Sequence, residues 1–336
     1  MPSVRPSPAT ADRSLRVALG EFELIRRYFG RLGASRADVL LGVGDDAALV
    51  APPEGQVLVT ALDTLVEGVH FMPDDPPDSI GHRALAVNLS DLAAMGATPA
   101  WFLLSLSLAR VDEPWLAGFA AGMDALATRH GVALIGGDTT SGRLTVSVTV
   151  LGFVPPGLAL RRDGARIGDA IFVSGSVGDA AAGLALRQGR LTGSPGDAVV
   201  LEQRYLKPEP RVVLGSALRG LASACIDVSD GLGGDLAKLC EASGAGADLH
   251  GEALPVSAAM QRTVGGARQR ALVLGGGDDY ELLFTVPPER HAAVATLARQ
   301  LPLSFIGEIT AVRGVRCDGV PLEGEAGHGF DHFLTP

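Results

Sequence analysis

The stretch VALIGGDTTSGRLTVSVTVLGFVPPG, residues 132–157, decides the fold class. Residues 132–135 form a short apolar run that reads as a strand, and Gly136-Gly137-Asp138 closes it with a tight turn that carries a carboxylate. Residues 144–154 read as a long strand, and Pro155-Pro156-Gly157 then punctuates the chain. Upstream, apolar spacing predicts helices over 21–32 and 113–130, strands over 56–62 and 101–109, and a helix from Asp78, as its cap, to about Met95. Downstream the alternation resumes. Strands are expected at 170–173, 224–228, 281–286 and 304–309, with helices at 179–188, 209–221, 232–242 and 289–300. A strand over 272–274 running into Gly275-Gly276-Gly277-Asp278-Asp279 would echo 135–138 and hint at two related halves. The expected class is therefore α/β (α+β) in two domains, 20–157 and 158–336, after a flexible N-terminal segment 1–19.

Composition narrows the function classes. The chain has 336 residues with 47% hydrophobic side chains, enough for two packed cores. A net charge of −10 with only two lysines argues against nucleic-acid binding, which needs cations against phosphates. The most apolar stretch, 84–109, is broken by Asn88, Asp91 and Pro99, so no membrane span is expected. Cys225, Cys240 and Cys317 fit no metal spacing and read as reduced thiols of a cytoplasmic protein. Residues 1–13 lack the apolar core of a signal peptide.

The chemistry lies in aspartates. No G-x-x-x-x-G-K-[ST] loop is present. Gly42-Val43-Gly44-Asp45-Asp46-Ala47 fits a dinucleotide fingerprint in spacing, but paired aspartates are wrong where a pyrophosphate must meet a helix N-terminus. They are right if a cation comes first. Gly44-Asp45-Asp46, Gly137-Asp138 and Gly277-Asp278-Asp279 repeat one design, and Asp63, Asp227 and Asp230 stand at expected strand ends. Such carboxylates are either turn residues bonded to nearby amides or hard oxygen ligands for Mg²⁺ bridging to a nucleotide's phosphates. Their number in one chain favours the second reading. Asp91 shares a helix face with Asn88 and needs a partner, a cation or a hydrogen-bonded core group. Asp227 and Ser229 fall on one side of an extended segment, although Ser229 or Asp230 also suits a helix cap. Arg161 and Arg162 offer a phosphate fork or a solvated pair, and His70 reads as a loop histidine.

Taken together, the motifs resemble the thiamine-monophosphate kinase family. The matching stretches are Gly42–Ala47, Asp63-Thr64-Leu65-Val66 with His70-Phe71, Ala86-Val87-Asn88-Leu89-Ser90-Asp91-Leu92, Ile135-Gly136-Gly137-Asp138, Ile226-Asp227-Val228-Ser229-Asp230-Gly231, Asp279-Tyr280-Glu281 and Gly329-Phe330-Asp331. The resemblance implies a two-domain fold like that of aminoimidazole ribonucleotide synthetase, with N-terminal domains paired into a homodimer and ATP at the interface. It implies phosphoryl transfer from ATP to thiamine monophosphate, giving thiamine diphosphate. It places Mg²⁺ on Asp46, Asp63, Asp91, Asp138, Asp227 and Asp230. Nucleotide contacts fall on Gly137, Asp138, Arg162 and Ser229, and substrate contacts on His70, Asp278 and Phe330. Three positions depart from the family pattern. Ala61-Leu62 replace Ser-Thr, Asp278 replaces Glu, and Phe330 replaces Tyr.

A phosphomonoester is largely dianionic at neutral pH, its second pKa being about 6. It is already a nucleophile, so direct in-line transfer without a general base is expected. The other readings are a sister enzyme of the same fold, such as the hydrogenase-maturation dehydratase with its C-terminal Cys, or a non-catalytic nucleotide binder.

Overall fold

A computed structural model describes residues 19–324 together with Gly327 and Gly329. In the N-terminal half, α1 (Glu21–Leu24) runs into a π-helical turn, Ile25–Phe29. A small hairpin, β1 (Val39–Leu41) and β2 (Leu49–Val50), precedes the main sheet. That sheet contains β3 (Val57–Val66), β4 (Thr98–Leu108), β5 (Ala133–Ser141) and β6 (Thr145–Val154) in the order β3-β6-β4-β5. Two helices, α2 (Pro77–Ala94) and α3 (Glu113–His130), cover one face.

The caps of α3 follow from local chemistry. The Asp112 carboxylate accepts the Trp115 N–H at 3.2 Å, and Gly131 ends the helix in the left-handed region at φ 67°. The start of α2 differs from the expectation. Pro76 occupies the cap position, while Asp78 lies inside the first turn and pairs with Lys207. In α2, 15 of 18 residues are buried, which marks it as a central helix packed on all sides. Its close neighbour is α3. A Cβ on Gly122 would lie 1.8 Å from the Asp78 carbonyl oxygen, and one on Gly81 would lie 2.0 Å from that of Phe119.

The C-terminal half is built on a seven-stranded sheet. Its elements are β7 (Ala170–Ser174), α4 (Asp179–Arg187), α5 (Pro195–Leu206), α6 (Val212–Ala217), β8 (Ala224–Asp227), α7 (Leu232–Ser243) and β9 (Gly246–Leu249). They continue with α8 (Ala258–Thr263), α9 (Gly266–Gly275), β10 (Leu282–Val286), α10 (His291–Leu297), β11 (Leu303–Thr310), β12 (Gly314–Cys317) and β13 (Val320–Pro321). The strand order is β13-β12-β9-β11-β7-β10-β8. Helix α5 and strand β9 carried no expectation, and α6 is shorter than the helix predicted over 209–221.

Two readings of the glycine–aspartate turns are corrected. Residues 272–274 end α9 rather than forming a strand, so the apparent echo of 135–138 is local composition and not a repeated unit. In the N-terminal half, β3 and β5 run straight through Asp63 and Asp138 instead of stopping there. The two halves meet on α2. Ala93 and Ala94 join Leu160, Leu214, Leu282 and Phe284 in one buried apolar cluster, which seats the end of α2 in the C-terminal half.

Candidate active site

The seam between the halves opens into a cleft of about 730 Å³. Asp63, Asp91, Asp227 and Asp230 line it, together with Ser229, His70 and Asp278. Each is positioned by a different element. Asp63 lies on β3, where its N–H donates to Asn88 Oδ1 at 2.9 Å, and Asn88 Nδ2 donates to Ala84 O at 3.0 Å. Asn88 is thus a satisfied core group that ties α2 to β3. Asp91 is the one residue of α2 between 79 and 94 that is not buried, because it faces the cleft. Asp227 ends β8 and is buried, its Oδ2 accepting the Ser90 hydroxyl at 2.6 Å.

The electrostatics follow from crowding like charges out of water. Burial pushes Asp91 up to about 8, with Asp227 and Asp63 adding to the effect. Burial likewise pushes Asp227 up to about 7, against the lowering by Ser90, and Asp235 and Asp63 push it further. Asp63 is raised by burial and by Asp230.

The turn after β8 is fixed by residues that sequence reasoning missed. Asp235 Oδ2 accepts the N–H groups of both Ser229 and Asp230 at 2.9 Å. Lys238 donates to Asp230 and, at 2.8 Å, to Asp235 Oδ1. The available signal was the acid–base pair at i and i+3 on the helix opening after Gly231, in a chain with two lysines. The loop that carries Asp278 packs on this turn. A Cβ on Gly277 would lie 2.4 Å from the Ser229 carbonyl oxygen, which explains the glycine there by close approach rather than by a strand end. Beside Asp278, buried Asp279 is a structural acid. It accepts the Gly178 N–H at 2.5 Å and the Ala180 N–H at 3.1 Å, capping α4, and burial pushes it up to about 8. Buried Glu281 binds Arg204, Arg211 and Ser174.

Four expected residues lie outside the lining of the cleft: Asp46, Gly137, Asp138 and Arg162. The reason for Asp138 is strand register. Asp138 pairs with Ser105, Ser105 with Ser147, and Ser147 with Thr64. Asp63 pairs with Val148, and Val148 with Leu104, on the buried face. Neighbours directly across strands share a face, so Asp63 and Asp138 point to opposite sides of the sheet. Gly137 is required by the backbone itself, since a Cβ there would lie 1.8 Å from the Leu104 carbonyl oxygen. Asp46 is exposed on the loop between β1 and β2, where Asp45 accepts its N–H at 2.8 Å, the turn role that aspartates commonly take. Arg162 is exposed, although its charge reaches Asp91 and lowers it slightly. His70 Nδ1 accepts the Val66 N–H at 3.0 Å. Phe330 lies outside the described residues.

Among the described residues no three His, Cys, Asp or Glu side chains are gathered closely enough to hold a metal ion by themselves. The donor set nevertheless fits Mg²⁺ in its usual mode, in which one or two carboxylates share the ion with water and substrate phosphates. No helix among the described residues is long and apolar enough to cross a membrane.

Comparison with known proteins agrees with this architecture. Residues 44–154 match the N-terminal domain of AIR synthase related proteins, and residues 166–319 match their C-terminal domain. The chain is 49% identical over 326 residues to the thiamine-monophosphate kinase of Salmonella typhimurium, covering 95% of this chain and all of that protein. The crystal structure of thiamine-monophosphate kinase from Stenotrophomonas maltophilia superposes with a TM-score of 0.82 at 48% identity, covering 86% of this chain and 93% of that one. A structure of AaThiL complexed with AMPPCP and TMP superposes with a TM-score of 0.77 at 31% identity, covering 94% of this chain and 97% of that one.

Proposed function

Since the chain belongs to the thiamine-monophosphate kinase family, we propose that it transfers the γ-phosphoryl group of ATP to the phosphate of thiamine monophosphate, giving thiamine diphosphate in the cytoplasm. The observation that carries this reading is the composition of the cleft. Asp63, Asp91, Asp227 and Asp230 gather at its wall, and His70 and Asp278 share the same space. The acceptor phosphate is a nucleophile without deprotonation, so these residues need only bind and align. Asp63, Asp91, Asp227 and Asp230 would hold Mg²⁺, which when bound screens the repulsion between two polyanions. Ser90 keeps Asp227 in place, and Asp235 and Lys238 keep the Ser229–Asp230 turn in place. His70 and Asp278 contact the organic end of the acceptor.

The chain acts as a homodimer in this reading. The face of the β3-β6-β4-β5 sheet turned away from α2 leaves Leu58, Leu62 and Leu103 exposed. An apolar sheet face of this kind suits a self-complementary partner. The same face carries Asp138, so pairing brings Gly137 and Asp138 to the boundary between copies, where they and Arg162 would reach nucleotide.

The direct test is ADP release measured with ATP and Mg²⁺. Turnover with thiamine phosphate and none with thiamine is expected; ATP binding without thiamine-phosphate-dependent ADP release would remove the reading.

The crowded carboxylates also predict a pH dependence. Asp63, Asp91 and Asp227 have raised values in the folded protein, so folding keeps protons on them that the unfolded chain releases near pH 4. Their contribution to stability therefore falls as pH rises from there to about 8. Buried His82 and half-buried His130, which are lowered, act in the opposite sense, so the readout is the difference made by Mg²⁺. Mg²⁺ competes with those protons, and the rise in Tm on adding it should be several degrees at pH 8 and near zero at pH 5. An equal Mg²⁺ effect at both pH values would contradict the placement of the ion on these residues.

A further inference from the structure

Arg83, Val87 and Asp91 all line the cleft from α2. Their spacing of four residues puts them on one face, and Arg83 stands about 12 Å from Asp91 along the axis at 1.5 Å per residue. Arg83 is buried, its side chain only 4% exposed. Its Nη2 binds Asp278 Oδ1, and its Nη1 donates to the Tyr205 carbonyl at 2.6 Å. The guanidinium lies 4.7 Å from the Tyr205 ring centroid and 6.0 Å from that of Tyr280. Among the described residues, Arg83 Nε has no hydrogen-bond partner. A buried charge with an orphaned donor is a poor device for stability alone, since well-packed apolar residues commonly do as well.

The group that Arg83 holds is strained. Asp278 has φ 74° and Tyr280 φ 52°, the left-handed region that costs residues with a Cβ roughly 1–3 kcal/mol each. Their N–H groups are pinned to Ser229 O at 2.9 Å and Val228 O at 2.8 Å. The Tyr280 hydroxyl also donates to Asp278 Oδ1, at 3.3 Å. Both side-chain donors thus converge on Oδ1, and no hydrogen bond from the described residues reaches Oδ2. Arg83 also offsets the negative charge of Asp278 in a cleft already lined by four other carboxylates.

We propose that Arg83 is a positioning residue for the organic end of the acceptor: it fixes Oδ1 of Asp278 so that Oδ2 faces the cleft as a directed acceptor for an amine or a ring cation, about 12 Å along the same helix face from Asp91, which would hold Mg²⁺. This rests on the reading of the cleft as a thiamine-phosphate site. It assigns specificity to α2, through a residue that touches the substrate only by way of Asp278.

The test is steady-state ADP release by the full chain, with thiamine phosphate and ATP varied separately, for wild type, Arg83→Gln and Tyr280→Phe, each checked by thermal melting. Arg83→Gln should raise KM for thiamine phosphate about thirtyfold, the low end for truncating one partner of a buried charge pair, with KM for ATP within about threefold. Tyr280→Phe removes one long hydrogen bond to Oδ1, at 3.3 Å, and should raise the same KM about fivefold. Should Arg83→Gln fail to fold, Tyr280→Phe decides alone. An unchanged KM for thiamine phosphate, or equal rises in both KM values, overturns the proposal while leaving the kinase reading intact. A wild-type chain inactive on thiamine phosphate overturns both.

Discussion

Asp227→Asn is expected to lower kcat by about 10²–10³-fold, the several kcal/mol that a metal-held charge contributes to a phosphoryl transition state. The fold should not suffer. Asp227 is buried, and burial together with Asp235 and Asp63 already disfavours its charged form, so a neutral side chain of the same shape relieves repulsion. The asparagine oxygen can still accept the Ser90 hydroxyl that now reaches Oδ2 at 2.6 Å. Tm in the absence of Mg²⁺ should therefore stay level or rise, and the rise in Tm on adding Mg²⁺ should shrink. Parallel ADP-release and melting measurements separate the cases. A kcat within threefold of wild type would show that Asp227 holds nothing the reaction needs. A collapse in Tm that matched the loss of activity would make it a structural residue.

Gly122→Ala carries the largest expected effect on stability. The added methyl would fall 1.8 Å from the Asp78 carbonyl oxygen, a backbone atom that cannot rotate away. Helices α2 and α3 would have to separate, and overpacking of this kind costs about 1–3 kcal/mol or more. In domains of this size that is a drop of roughly 5–10 °C. Gly118→Ala on the same helix is the control. Its Cβ would meet the Pro77 ring at 3.1 Å and the Asp78 nitrogen at an ordinary 3.7 Å, and alanine's better helix propensity offsets a small shift. Chemical and thermal melts of both variants test the pair, and equal stability would mean that α2 and α3 pack less closely than described. Because α2 carries Arg83 and Asp91, a surviving Gly122→Ala protein should also lose turnover, since displacing an aligned group by about 1 Å costs on the order of 10²-fold.

Local chemistry made some features readable in the sequence. Helix α3 follows from Asp112, its apolar spacing and Gly131, all within a few residues of one another. Its span coincides with the helix expected over 113–130. The family of the chain was readable in the same way, from aspartate motifs in fixed order. Errors arose where a local pattern has two three-dimensional solutions. The run Leu272-Val273-Leu274 before three glycines suits a strand end or a helix end, and packing in the second core chose the helix. Asp78 looked like a cap because it opens an apolar stretch, yet Pro76 and Pro77 start the helix sooner.

By itself the sequence determined which residue types are available, the two-part layout and the family, because caps, turns and periodicity depend on neighbours only a few positions apart. Which carboxylates meet was decided by tertiary structure. Asp63 and Asp138 both read as carboxylates at strand ends, and strand register sends them to opposite faces of one sheet. Arg83 drew no notice in the sequence, since its partner Asp278 lies 195 residues away. Sheet pairing and buried charge act through space, and only the folded chain sets those distances.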